Sequence, residues 1–135
     1  MLALACGARG SADAGNPVNP IEVAVATDRP SYAPGSAVTV TLTVRNRGEA
    51  VTTLPFASGQ RYDFEVRDAT GAIVWHWGEG MGFIQMLGEE SLRPGDSLRY
   101  DARARAPAAP GRYTLAGVLT ARDRARRATT TFLVE

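Results

Sequence analysis

His76 is the only histidine and Cys6 the only cysteine of this 135-residue chain, so these two side chains are the first to weigh for chemistry. A general base needs a nucleophile held beside it, and no Gly-x-Ser-x-Gly elbow or comparable signature supplies one. His76 therefore reads as a structural or surface histidine. Glu79, Glu89 and Glu90 could pair for acid–base work or bind calcium. They lack the Asp-rich, glycine-centred loop that calcium needs, and they read as carboxylates on solvated turns. Gly78-Glu79-Gly80-Met81-Gly82 places glycines at alternate positions but opens no helix, so no helix dipole awaits a phosphate. It reads as an exposed contact loop or as a wide connection between strands. Arg122-Asp123-Arg124-Ala125-Arg126-Arg127 is basic, yet it lacks the interleaved aromatics that single-stranded nucleic acid stacks upon. A solvated hairpin tip accounts for it. No catalytic residue, metal site or cofactor is expected, and no nucleic-acid partner.

Cys6 invites a different chemistry. It follows Leu2-Ala3-Leu4-Ala5 and precedes Gly7, and a small residue before a cysteine closing an apolar stretch resembles a bacterial lipoprotein processing site. Acylation there would tether the domain to the cell envelope, the only membrane association expected. Just five residues precede Cys6, whereas an export signal needs a basic segment and an apolar run of about 7–15 residues. A start assigned too far downstream would account for both departures. Residues 1–20, rich in small residues, Gly and Pro, read as a flexible segment: a truncated lipoprotein signal plus linker.

The elements that would position these residues follow from composition and period. A chain of 14.4 kDa with 44% hydrophobic and 21% charged residues has the make-up of one folded domain. Its net charge of +1 gives no general pull toward anionic polymers or lipids. All its basic residues are arginine, which with the alanine-rich padding suggests GC-rich bacterial coding. One cysteine excludes an internal disulfide. From Ile21 to Glu135 the pattern is short alternating runs. Val38-Thr39-Val40-Thr41-Leu42-Thr43-Val44 shows period two most clearly, and Tyr62-Asp63-Phe64-Glu65-Val66-Arg67 repeats it with charges on the outer side. Further strands are expected at Ile21–Ala26, Ala72–Trp77, Phe83–Leu87, Leu98–Ala104, Tyr113–Ala121 and Thr129–Val134. Pro34-Gly35 and Pro94-Gly95 suit type II turns. Eight or nine strands at this spacing predict an all-β, immunoglobulin-like antiparallel sandwich over residues 21–135.

One ordered series carries a resemblance. Phe56-Ala57-Ser58-Gly59-Gln60-Arg61-Tyr62-Asp63-Phe64 is followed by Trp75-His76-Trp77, then Phe83-Ile84-Gln85, then Leu92-Arg93-Pro94-Gly95. It is similar to the BsuPI family of bacterial proteinase inhibitors. The resemblance implies a non-catalytic immunoglobulin-like domain, here taken as a monomer, that binds a subtilisin-like serine protease. A non-inhibitory adhesion or assembly module of the cell envelope is the alternative. Tyr62, Phe64, Trp75, Trp77 and Phe83 are expected as core signature residues. The exposed connections Ser58-Gly59-Gln60-Arg61 and Gly78-Glu79-Gly80-Met81-Gly82 are the candidate contact loops. The family is intracellular, whereas Cys6 and its linker suggest export; both localisations remain as expectations.

Overall fold

The computed structural model describes residues 9–13, 20–79, 81–83 and 87–135. Among them lie eleven strands: β1 (Arg9–Asp13), β2 (Ile21–Thr27), β3 (Ser31–Tyr32), β4 (Ala37–Asn46), β5 (Thr52–Phe56), β6 (Tyr62–Arg67), β7 (Ile73–His76), β8 (Gly88–Leu92), β9 (Ser97–Arg105), β10 (Gly111–Leu119) and β11 (Arg126–Val134). They form a four-stranded sheet in the order β1-β2-β4-β9, a five-stranded sheet in the order β3-β11-β10-β6-β7, and a two-stranded ribbon of β5 and β8.

Period-two alternation becomes the two inner faces. Along β4 the side chains of Val38, Val40, Leu42 and Val44 are buried while Thr39, Thr41 and Thr43 stay half-exposed. Val23 and Val25 of β2 join them from one sheet, and Phe64, Leu115, Ala128 and Phe132 meet them from the other. Each fully buried Val or Leu contributes roughly 1.5–3 kcal/mol, which drives the sheets together. The two Pro-Gly turns form as expected. Ser36 N donates to Ala33 O at 3.1 Å and Asp96 N to Arg93 O at 2.9 Å, with Gly35 and Gly95 at φ of 75° and 84°. Only glycine takes that conformation without strain.

The strand count exceeds the expected eight or nine. Three additions explain most of the difference, and each depends on a partner strand rather than on its own pattern. Arg9–Asp13, expected as linker, pairs antiparallel with β2. Thr52–Phe56 contains Pro55, which argues against a strand, and Gly88–Leu92 has no apolar alternation. They nevertheless pair with each other from Thr52↔Leu92 to Phe56↔Gly88. The strand expected at Phe83–Leu87 is not found: Phe83 and Leu87 lie outside any strand, residues 84–86 fall outside the described residues, and pairing begins at Gly88. The sandwich is also not wholly antiparallel, because the two-residue β3 runs parallel to the end of β11.

Two polar devices lock the ends. Tyr32 OH donates to Asp28 Oδ1 at 2.5 Å and accepts from Arg29 N at 2.8 Å. Burial and the Asp28 bond push that phenol up to about 12. Asn46, fully buried, donates from Nδ2 to Ala50 O and Leu92 O, both at 2.9 Å, and accepts from Gly48 N at 2.9 Å. Arg126 corrects the expectation of a wholly solvated hairpin tip. Inward-facing alternation on β11 buries it to 4% exposure, where Nη2 lies 3.3 Å from Asp123 Oδ2 and Nη1 donates to Arg124 O. Burial raises the Asp123 carboxyl, but the Arg126 hydrogen bond and charge, together with the backbone amides of Arg124 and Asp123, outweigh it and hold the group below its ordinary range.

Asn46→Ala is expected to cost about 2–4 kcal/mol, because two carbonyls and an amide lose their partner inside the protein. Chemical denaturation measures this loss. Asn46→Asp should do no better, since it turns a carboxylate oxygen toward the carbonyls of Ala50 and Leu92.

Candidate functional site

At one end of the sandwich β5, β6 and β10 are joined by a set of hydrogen bonds that cross between loops. Thr120 N donates to Arg61 O at 3.0 Å, Thr120 Oγ1 to Gln60 O at 2.9 Å, and Arg122 N to Pro55 O at 2.7 Å. The Gln60–Arg61 end of the Ser58–Arg61 connection is thereby tied to Thr120, just beyond β10. Its own side chains add to this: Ser58 Oγ accepts from Gln60 N at 3.1 Å and Gln60 Nε2 donates to Tyr62 O at 3.2 Å. Gly59 is the exposed apex.

Asp63 joins this connection to the second loop. Its Oδ1 accepts from Phe64 N at 2.8 Å and from Gly78 N at 3.0 Å, and its Oδ2 accepts from His76 Nε2 at 2.6 Å. Alternation puts Asp63 and His76 together: His76 stands opposite Glu65 in the β6–β7 ladder, on the face away from Trp75. The approach at position 78 is close, so a side chain there would crowd its neighbours. A Cβ there would lie 3.0 Å from Asp63 Oδ1 and 3.1 Å from Gln60 Nε2. Successive turns follow, with Glu79 N donating to His76 O and Met81 N to Gly78 O. Glu79, Met81 and Gly82 are exposed, and Gly80 lies outside the described residues. The two candidate loops, eighteen positions apart in the chain at Gln60 and Gly78, are thus side by side.

Beneath them runs a file of aromatic rings. Tyr62 is stacked between Trp77, at 4.5 Å, and Tyr100, at 4.6 Å, and Trp77 meets Phe83 at 5.8 Å. Of the five expected core signature residues only Phe64 is fully buried; Tyr62, Trp75, Trp77 and Phe83 are half-buried. The reason is their place on β6, β7 and the loop beyond, at the flank where the second sheet ends. Burial and the nearby Glu90 charge both push the Tyr100 phenol up.

Arg61, also among the candidate contact residues, packs against its neighbours. Its guanidinium lies over the Phe56 ring at 4.4 Å, its Nη2 is 3.7 Å from Glu90 Oε2, and its Nη1 is buried without a hydrogen-bond partner. This geometry holds β5, β6 and β8 together by cation–π attraction and packing. Sequence reasoning also missed Asp63, Thr120 and Tyr100 as parts of the site. The signal available for Asp63 was an outward carboxylate, one of two with Glu65, on a strand whose neighbour carries the only histidine. Nothing in the sequence joined Thr120 or Tyr100 to positions sixty and thirty-eight residues away.

This arrangement offers two braced, exposed loop tips over an aromatic base. Among the described residues no three His, Cys, Asp or Glu gather as a metal site. Cys6 lies outside the described residues.

Comparison with known proteins agrees on fold and family. The family described as BsuPI, intracellular proteinase inhibitor, matches residues 25–124. No curated protein matches the chain. Among solved structures, Spo0M, a sporulation control protein from Bacillus subtilis, superposes with a TM-score of 0.55 at 12% identity, over 86% of this chain and 49% of that one. The C-terminal domain of wzt gives 0.54 at 12% identity, over 93% and 78%. The alkylpurine DNA glycosylase AlkC of Pseudomonas fluorescens gives 0.51 at 11% identity, over 86% and 30%. The chain thus spans about half the length of Spo0M and less of the glycosylase. At such identities the likeness is one of fold alone.

Asp63→Ala is expected to cost about 1–3 kcal/mol by stranding the amides of Phe64 and Gly78. Amide hydrogen exchange at Gly78 and Glu79 should quicken more than tenfold, while the centre of β10 changes only with global stability. Unchanged exchange at Gly78 would separate the loop from the carboxylate.

Proposed function

The chain belongs to the BsuPI family of intracellular proteinase inhibitors, and on that premise we propose that it is a non-catalytic domain whose paired loops, Ser58–Arg61 and Gly78–Gly82, bind a subtilisin-like serine protease. The observation that carries this reading is the Asp63 clasp, which holds Gly78 beside Gln60. A segment fixed before binding loses little conformational entropy on entering a cleft, so affinity comes from preorganisation rather than from area. Gly59, Glu79, Met81 and Gly82 make the contact; Arg61, Gln60 and Asp63 hold them in place. Met81, 47% exposed, supplies the apolar side chain nearest the loop tip.

The full chain is expected to inhibit a subtilisin-like enzyme stoichiometrically and reversibly and to survive largely uncleaved. Removing Met81 and Gly82 should weaken inhibition at least tenfold and leave the melting curve nearly unchanged, since loops accept length changes that strands do not. Undiminished peptide hydrolysis at micromolar chain would favour the adhesion or assembly module. Rapid digestion of the folded chain would make it a substrate.

The proposal extends to localisation: Cys6 carries a lipid and places the domain at the cell envelope. A product expressed from an upstream start should incorporate palmitate and enter the detergent phase, and Cys6→Ser should abolish both. A soluble, unlabelled product would return the domain to the cytoplasm, with an intracellular protease as its partner.

A further inference from the structure

The aromatic file fills only part of the flank between the two sheets. Tyr100, which stacks on Tyr62, stands opposite Leu42 in the β4–β9 ladder. Farther along that ladder, toward Ala37↔Arg105, the flank opens into a groove of about 580 Å³. Its floor is apolar, formed by Val38, Val40, Val66 and Phe132, all of them buried core residues. On one side stands β7, where the register shift between Val66 and Arg67 leaves both Val74 and Trp75 lining the groove. A bulge re-aims side chains in this way, and here Val74 remains 44% exposed. On the other side stands β9, which contributes Ala104 and the exposed Arg103 and Arg105.

Three observations restrict what fits. First, among the described residues β9 pairs only with β4 and β7 only with β6, so both walls end in strand edges. Second, the groove is lined by two arginines and no carboxylate. Third, Arg105 is turned onto Gly35 O at 3.1 Å, whereas the Arg103 side chain makes no hydrogen bond or ion pair among the described residues. An unpaired edge accepts an extended chain by backbone hydrogen bonding, with alternate side chains entering whatever pocket adjoins it. An anionic amphiphile would meet the floor and Arg103 but would leave the edges unpaired.

We propose that the groove between β7 and β9 docks an extended acidic polypeptide segment of a partner protein, pairing along an edge strand, burying alternate apolar side chains against Val74, Trp75 and Ala104, and meeting Arg103 with a carboxylate. This surface is separate from the Ser58–Arg61 and Gly78–Gly82 loops and stands whether or not they bind a protease.

The test uses the full chain and three probes: a fluorescein-labelled octapeptide of alternating Val and Glu, its Val and Lys counterpart, and dodecanoate. The Val–Glu peptide should bind saturably and weaken as salt rises, because exposed charges are screened. Arg103→Glu should weaken it at least tenfold and shift preference to the Val–Lys peptide. Val74→Asn should weaken both peptides, and bound Val–Glu peptide should slow amide exchange along Ser97–Arg105 or Ile73–His76. Circular dichroism verifies that each variant folds, and Arg105→Gln serves as a second lip variant if Arg103→Glu does not. Equal binding of the two peptides by the unaltered chain, or no saturation at millimolar peptide, would overturn the proposal. So would displacement by dodecanoate with no edge amide protected, which would assign the groove to an anionic amphiphile.

Discussion

Asn46 ends the longest strand of the molecule and is completely buried, and its carboxamide ties three chain segments that no ladder joins. It holds Gly48 and Ala50 of the following loop and Leu92 at the end of β8, while its own backbone pairs with Asp96 and Gly95. A buried amide is stable only when its polar atoms are satisfied, and satisfaction here demands that β8 lie where it does. Through β8 the constraint passes to β5, because the ribbon of those two strands places Phe56 opposite Gly88. Phe56 and Glu90 then receive Arg61, and Arg61 immediately precedes the strand that carries Tyr62, Asp63 and Phe64. The loop end of the sandwich is built on this sequence of contacts.

Two kinds of interaction divide the work from there. Apolar burial brings the sheets face to face, but it is non-directional and does not say where a loop tip will point. Direction comes from the Asp63 carboxylate, the Thr120 bonds and the stacked rings of Trp77, Tyr62 and Tyr100. The rings also close one part of the flank between β9 and β7, which confines the apolar opening to the part near Arg103 and Arg105. The molecule therefore presents two unlike surfaces. One is a pair of polar, glycine-rich tips; the other is an apolar groove with a cationic lip and free strand edges.

The proposed inhibitor function asks the protein for shape held in advance rather than for reactive groups. His76, the one side chain with ready acid–base chemistry, is spent on Asp63 and orients the clasp. The exposed loop residues carry little chemistry of their own, and Met81 is the largest of them.

The sequence by itself determined the all-β class, the inner face of β4 and β6, the Pro-Gly turns and the family resemblance, because period two and turn chemistry act between residues a few positions apart. It also marked the two loops, as glycine-rich or polar gaps between alternating runs. It did not reveal Arg9–Asp13, Thr52–Phe56 and Gly88–Leu92 as strands, since Gly-Ser-rich, proline-bearing and polar segments adopt that form only when a partner strand offers its backbone. Nor did it show that Arg126 turns inward or that Tyr62 and Trp77 stay half-exposed, for an alternating strand has the same pattern at the centre of a sheet and at its edge. Tertiary structure decided which residues sixty positions apart would share a hydrogen bond, and so it decided that Gln60, Gly78 and Thr120 form one end of the protein. The physical reason is that ladder register and sheet edges are properties of pairs of strands, and no single strand contains them.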